Sequence, residues 1–326
     1  MELRKVQRTS SGTFFVCLPK EWAERSGIDR GSVISVLETD NGRLIIDAKY
    51  DVEPGPRTAV IKSTSHLDRE IIEKYLLGYD IIQVEAKEKI SLSDRERVKQ
   101  TSSRLVGLEI IEEDYSKIVM QCLLEPSAFP PERILRREYS IASGMHRDAV
   151  TALIEGDIHL AKNVIARDNE VDRLYFLLVR ILRTVIQNPR LSEKLGILPI
   201  DCLDYRLAAS LVESIGDRSV QIAEKSVQLG DAKIAEELSQ LIQKLHGVVY
   251  TSHENALKAM FTRDVALAQS VSDEREKVAA LIQEVEKTVR SQPVEFAPCI
   301  LAVISSMSRI YDHSVDIADL VMPKPV

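Results

Sequence analysis

Residues Leu211-Val-Glu-Ser-Ile-Gly-Asp-Arg-Ser-Val-Gln-Ile-Ala223 return further along the chain as Ser306-Met-Ser-Arg-Ile-Tyr-Asp-His-Ser-Val-Asp-Ile-Ala318. Ile215, Asp217, Ser219, Val220, Ile222 and Ala223 recur as Ile310, Asp312, Ser314, Val315, Ile317 and Ala318. Upstream, His146, Ala149, Asp157, Leu160, Ala161, Val164, Val171 and Leu174 recur at the same spacing as His253, Ala256, Asp264, Leu267, Ala268, Val271, Val278 and Leu281. One helical unit has been used twice. Between residues 132 and 322, breaks fall at Gly156-Asp157, Asn188-Pro189, Gly196 to Pro199, Gly230-Asp231, Arg263-Asp264 and Gln292-Pro293. They leave six helices, three in each repeat (about 132–229 and 231–322). Apolar residues at helical spacing, such as Leu207, Leu211 and Ile215, give each helix one buried face. Two three-helix bundles in tandem are predicted.

A chain of 326 residues exceeds what one core usually organises. Pro54-Gly-Pro56 marks a first boundary, and Pro126 with Pro130-Pro131 a second. Residues 57–126 alternate short apolar runs with helical stretches. Strands are predicted at Thr58–Lys62, Asp80–Val84, Leu108–Ile111 and Lys117–Leu124, with helices at Leu67–Leu77 and from Ser93 to Val106. This βαβαββ order suits a small sheet with helices on one face. It carries no catalytic pattern, and its role is to space or couple the outer domains.

Residues 1–50 read as four short strands and one helix. A polar turn at Thr9–Thr13 separates the strand from Val6 and the strand Phe14–Leu18. Pro19 then opens the helix Lys20–Ser26, where its missing N–H would have had no partner. Val33–Leu37 and Leu44–Asp47 flank Asp40-Asn-Gly-Arg43, a hairpin turn signal. So small a unit buries too little surface to stand alone comfortably. Residues 1–49 hold eight Lys/Arg against seven Asp/Glu, whereas the remainder holds 35 against 43. Only this first segment meets nucleic acid without strong repulsion, through Arg4, Lys5 and Arg8.

The basic strand Arg4–Arg8, the Leu18-Pro-Lys-Glu-Trp22 run, Gly27, Gly31 and Gly42–Ile46 together resemble the AbrB/SpoVT family of swapped-hairpin DNA-binding domains. The resemblance implies a dimer whose interlocked hairpins form one barrel. It implies DNA contact by Arg4, Lys5 and Arg8, with Ser10, Ser11 and Lys20 as phosphate contacts. A barrel used only for dimerisation is the alternative.

The C-terminal half resembles the PhoU family of phosphate-uptake regulators, through Glu213-Ser-Ile-Gly-Asp217 and Ile222-Ala223. The fold class is therefore multidomain α+β: a swapped-hairpin barrel (1–50), a small α/β domain (57–126) and tandem helical bundles (132–322). The resemblance implies damping of phosphate import, and metal at carboxylates spaced four apart. That spacing puts two carboxylates on one helix face, able to share a hard or borderline cation such as Fe, Zn or Mn. Asp168 with Asp172, and Glu213 with Asp217, are such pairs. The second repeat keeps Asp312 and Asp316, but Arg275, Ala279 and Ser308 stand where Asp168, Asp172 and Glu213 would repeat. A solvated acidic face is the bland alternative. His146 and His253 are expected to be hydrogen-bonded structure rather than ligands.

No P-loop, nucleophile elbow or zinc-protease motif is present, and no Glu-x-x-His pair suits a di-iron site. A non-enzymatic regulator is expected. Its partners would be promoter DNA and a second copy of itself, or else the phosphate transporter's ATPase subunit or a signalling kinase. No signal peptide or span of about 20 apolar residues is seen, so a cytoplasmic location is expected. Cys17, Cys122, Cys202 and Cys299 lie far apart in apolar contexts and read as small buried hydrophobes.

Overall fold

Two antiparallel hairpins and one helix build the N-terminal unit, Met1–Pro56. In the first hairpin β1 (Gln7–Arg8) pairs with β2 (Phe14–Phe15). Thr9 closes the turn: its N–H donates to Thr13 O at 2.9 Å, and its Oγ1 accepts the Thr13 N–H at 3.0 Å. Gly12, with φ +94°, supplies a conformation that a side chain would strain. Helix α1 (Lys20–Arg25) follows Pro19. Strand β3 (Ser35–Glu38) then pairs with β4 (Leu44–Asp47), Val36 opposite Ile46. The computed structural model describes residues 3–38, 42–48, 55–62, 66–230, 234–290 and 296–322. Asp40 and Asn41 of the expected hairpin turn, and the break at Gln292-Pro293, lie outside them.

Among its described residues this unit buries no side chain. Phe14, Val33 and Leu44 are 67%, 65% and 64% exposed. Cys17 is exposed as well, contrary to the expectation that all four cysteines are buried, because the unit offers no core to receive it. Cys122, Cys202 and Cys299 are buried as expected.

The second unit, Arg57–Val326, begins with a four-stranded sheet. Its elements are β5 (Thr58–Lys62), α2 (Leu67–Leu76), β6 (Ile81–Glu85), α3 (Leu92–Ser103), β7 (Leu108–Glu113) and β8 (Lys117–Cys122). The strand order is β5-β6-β8-β7, with only the β5–β6 pair parallel. Alternation along β5 buries Ala59 and Ile61 and leaves Val60 outside. On the buried face Ile61, Ile82, Val84, Ile118 and Met120 share a core with Leu67, Ile71 and Tyr75 of α2 and Val98 of α3. Gly107 is required where β7 begins, since a Cβ there would lie 2.4 Å from Leu124 Cγ.

Eight helices follow among the described residues. The first repeat contains α4 (Pro131–Glu155), α5 (Ile158–Gln187), α6 (Pro189–Leu195) and α7 (Asp201–Leu229). The second contains α8 (Glu236–Thr262), α9 (Val265–Asp273), α10 (Arg275–Val289) and α11 (Ala297–Asp319). The repeated aspartates cap equivalent helices: Asp157 Oδ1 accepts the Leu160 N–H at 2.9 Å, and Asp264 Oδ1 the Leu267 N–H at 3.0 Å. Buried residues of both repeats form one continuous core, with Ile215 and Ala223 of α7 joined to Ile310 and Ala318 of α11.

Six helices were expected, so two corrections are needed. Asn188 does not merely interrupt the chain. Its Oδ1 accepts the N–H groups of Arg190 and Leu191 and starts the short α6. In the second repeat the middle helix is split at Glu274. There the Tyr311 hydroxyl donates to Val271 O at 2.9 Å, and the same carbonyl accepts a long bond from the Glu274 N–H at 3.4 Å. The first repeat has Gly216 at the equivalent position. A Cβ there would already touch Val171 at 3.5 Å, and α5 runs on unbroken.

One arginine anchors the sheet layer to the bundle. Arg180 of α5 is buried and donates through Nη1 to Tyr75 O (2.7 Å) and Tyr79 O (2.9 Å), around the C-terminal end of α2. Its guanidinium also lies over the Tyr75 ring.

Candidate functional site

Helices α4, α5 and α7 pack mutually in the first repeat and bring five carboxylates into one another's fields. Asp168 and Asp172 come from α5, and Glu213 and Asp217 from α7, as the spacing predicted. The fifth, Glu138 of α4, was not expected. It is fully buried, and among the described residues neither carboxylate oxygen has a hydrogen-bond partner. Its position on the apolar stripe with Leu135, Ile141, Ala142 and Met145 was the available signal, since a charged residue on a core face needs a reason.

Burial and mutual repulsion favour protons on this cluster. Desolvation, then the charge of Glu213, holds the Glu138 carboxyl well above the usual range. Desolvation, Asp217, Asp172 and Asp168 push Glu213 up to about 7, with Arg206 opposing. Asp168 is pushed up to about 6 by desolvation, Asp172 and Asp217, with Arg104 opposing. Asp217 also rises, mainly by desolvation, although its residue as a whole is exposed.

These acids are harder to ionise folded than unfolded, so the folded state holds more protons between their two pKa values. Their penalty is absent below the unfolded value and grows as pH rises through the folded one. Glu213→Gln should therefore stabilise the chain by about 1 kcal/mol at pH 8, after discounting for solvent screening. The gain should vanish near pH 4.5. Chemical denaturation at the two pH values checks this, and an equal effect at both contradicts it.

The metal implied by the resemblance fits these donors in kind, and the unpartnered oxygens of Glu138 add to the supply. The arrangement is not convergent. Among the described residues no three His, Cys, Asp or Glu side chains form a group able to hold a metal ion. Arg104, just past α3, places Nη2 2.9 Å from Asp172 Oδ2 and supplies a counter-charge already. Loading a cation requires Asp172 to exchange one positive partner for another. In the second repeat Asp312 lies 3.6 Å from Arg309, and Asp316 lies 3.9 Å from His313 Nδ1.

In the N-terminal unit Arg4, Lys5, Arg8, Ser10, Ser11 and Lys20 are all exposed. Arg8 lies over the Phe14 ring at 5.2 Å beside the Gly12 turn. Thr9 Oγ1 holds Ser11 Oγ at 2.8 Å, and Lys20 pairs loosely with Glu24 at 3.7 Å. The hairpin gathers Arg8, Ser10 and Ser11 at one tip, while Lys20 stands on α1.

The duplicated helices with acidic pairs on α5 and α7 define a PhoU-type bundle, and the coreless hairpin unit defines an antitoxin-type module. The PhoU domain matches residues 135–226 and 242–321, together more than half of the chain, and the chain belongs to the PhoU family. Residues 7–55 match the bacterial antitoxin domain described as antidote-toxin recognition MazE. A phosphate-specific transport system accessory protein PhoU homolog of Rhizobium meliloti (strain 1021) is 26% identical over 208 residues, spanning 60% of this chain and 86% of that protein. The crystal structure of PhoU from Pseudomonas aeruginosa covers 60% of this chain and 95% of its own at TM-score 0.54 and 20% identity. The phosphate transport system regulatory protein PhoU from Streptococcus pneumoniae covers 59% and 91% at TM-score 0.50 and 18% identity. Those two likenesses establish the fold. No helix among the described residues is long and apolar enough to cross a membrane.

Proposed function

We propose that the chain is a phosphate-responsive, non-enzymatic regulator of phosphate uptake that binds promoter DNA as a dimer. The observation that carries this reading is the N-terminal unit, a locally basic hairpin module with no core of its own, joined to a PhoU half. Its exposed Phe14, Val33, Val36 and Leu44 suit pairing with a second copy. The hairpin tip then offers Arg8, Ser10 and Ser11 to phosphates twice, alongside Arg4, Lys5 and Lys20. The experiment is titration of the full chain against duplex DNA from upstream of phosphate-transport genes. Salt-sensitive binding by a species of twice 36.6 kDa supports the proposal, and a monomer that ignores DNA sinks it.

Within this reading the helical half supplies the response. Asp168, Asp172, Glu213 and Asp217 would hold Fe, Zn or Mn as oxygen ligands once drawn together, since they do not converge in the chain as it stands. A bound cation would add positive charge beyond that of Arg104 and replace it at Asp172. Glu213→Ala with Asp217→Ala should remove most of the bound metal, and Asp312→Ala with Asp316→Ala little. Metal content per chain after chelator-free purification checks the difference.

A second reading, a scaffold docking on the transporter's ATPase subunit or a signalling kinase, is favoured by one observation. Leu198, Ile200, Leu203 and Leu207 are all exposed near the start of α7.

A further inference from the structure

The repeated histidines meet. His146 of α4 and His253 of α8 occupy equivalent places in the two repeats, and His146 Nδ1 lies 3.2 Å from His253 Nε2. Both are fully buried. The positions seven residues earlier, Tyr139 and His246, are likewise equivalent and cross over. The Tyr139 hydroxyl lies 2.8 Å from His253 Nδ1, and the His246 ring sits edge-on to His146 with centroids 4.7 Å apart. Each repeat thus offers its position 139/246 to the other's position 146/253. This is the isologous pattern of a two-fold axis, here inside one chain.

The hydrogen-bond inventory of this constellation does not close. If Tyr139 donates to His253 Nδ1, His253 Nε2–H donates to His146 Nδ1, and His146 Nε2–H has no acceptor. With the chain reversed, Tyr139 accepts and the His146 Nε2 lone pair has no donor. Either way His146 Nε2 is unpaired in a buried setting, and so is His246 Nε2. The chain Tyr139–His253–His146 runs in either sense, and one additional proton at its His146 end leaves a cation there.

We infer that this cluster is an acid-labile latch on the internal two-fold: neutral and closed, it excludes protons and bonds the two helical repeats together, and in mild acid proton uptake by the opened rings loosens α4 from α8. The surroundings favour the neutral form. Desolvation and the neighbouring histidines hold His146 well below the ordinary imidazole range. Desolvation, then His246, lowers His253 to about 3, and desolvation with Arg147 lowers His246 to about 4. The other groups whose fields reach the cluster are Tyr250 and Glu254, both acting on Tyr139. Arg147 and Glu254 are themselves equivalent positions, one from each repeat. Among the described residues no carboxylate is hydrogen-bonded to any of the three rings.

The sign follows from linkage. Folded-state values lie below the unfolded 6.5, so the unfolded chain binds more protons from about pH 6.5 downward. Stability is full above that pH and falls as pH falls, toward about 4 for His246 and 3 for His253. The carboxylate cluster titrates over part of the same window with the opposite sign. The readout is therefore the difference between wild type and a variant.

The test uses the full chain. His146→Gln with His253→Gln removes two titrating rings while keeping amides that hydrogen-bond. Between pH 6 and 5 the wild-type unfolding constant should climb relative to the variant's by about tenfold per pH unit for each histidine removed, or about a hundredfold for both. Amide exchange in α4 and α8, corrected for its intrinsic pH dependence, should accelerate on acidification in wild type only. Should the variant fail to fold, nitrogen-15 imidazole shifts of the wild type decide. Neutral His146 and His253 rings at pH 5.5 in the folded chain support the inference. Rings titrating near 6.5, or a variant with the wild-type pH slope, overturn it.

Discussion

Replacing Arg4, Lys5 and Arg8 together with alanine in the full chain should abolish DNA binding at physiological salt without unfolding the protein. All three side chains are exposed, and Arg8 makes a contact over the Phe14 ring. Losing it costs about 0.5–1 kcal/mol at such a site. The effect on DNA is far larger. Each phosphate neutralised releases condensed counterions, so the slope of log affinity against log salt falls by roughly 0.9 per contact. Three contacts in each of two protomers imply a slope shallower by about 5. Anisotropy titrations across a salt series measure it. An unchanged slope would place any DNA contact outside the first hairpin.

The second large effect is expected at Arg180. Its side chain is 5% exposed and holds the Tyr75 and Tyr79 carbonyls, with Asp80 Oδ1 further away at 3.5 Å. Arg180→Ala takes the donor from Tyr79 O, leaves Tyr75 O with the Gly78 N–H at 3.0 Å, and opens space under the Tyr75 ring, costing roughly 2–4 kcal/mol. Arg180→Met restores bulk but no donor, and should recover less than half of the loss. Because the arginine belongs to α5 and its acceptors to the end of α2 and the following turn, the loss should appear as an earlier, separate transition of the sheet layer. Denaturation followed by two probes tests this. A cost below about 1 kcal/mol, or a single coincident transition, would show that packing around Phe176 and Leu124 holds the layers without it.

The sequence disclosed what rests on periodicity and punctuation. β5 and β4 fall where Thr58–Lys62 and Leu44–Asp47 were read, because apolar alternation bounded by turn residues is a local signal. The two carboxylate pairs were legible for the same reason, since spacing of four within one helix fixes a shared face. Features that depend on a partner from another element were not. Glu138 looked like one more acidic residue until α4 buried it, and Arg104 gave no sign of reaching Asp172 in a helix 68 residues away. At the split between α9 and α10 the Val271 carbonyl bonds a hydroxyl from Tyr311, 40 residues away. His146 and His253 were visible as a repeat, but their meeting was not. A repeat states that two environments are equivalent and leaves open whether they touch. Cys17 shows the converse: its apolar neighbours promised a core that this unit by itself does not form.

Phosphate status is proposed to act through this chain on DNA. The most direct measurement is a mobility shift of the full chain on DNA from upstream of phosphate-transport genes, at fixed salt, with and without inorganic phosphate. A discrete complex of two chains per site, with an affinity that changes several-fold with phosphate, is expected. No complex in either condition, or one of identical affinity in both, would contradict it.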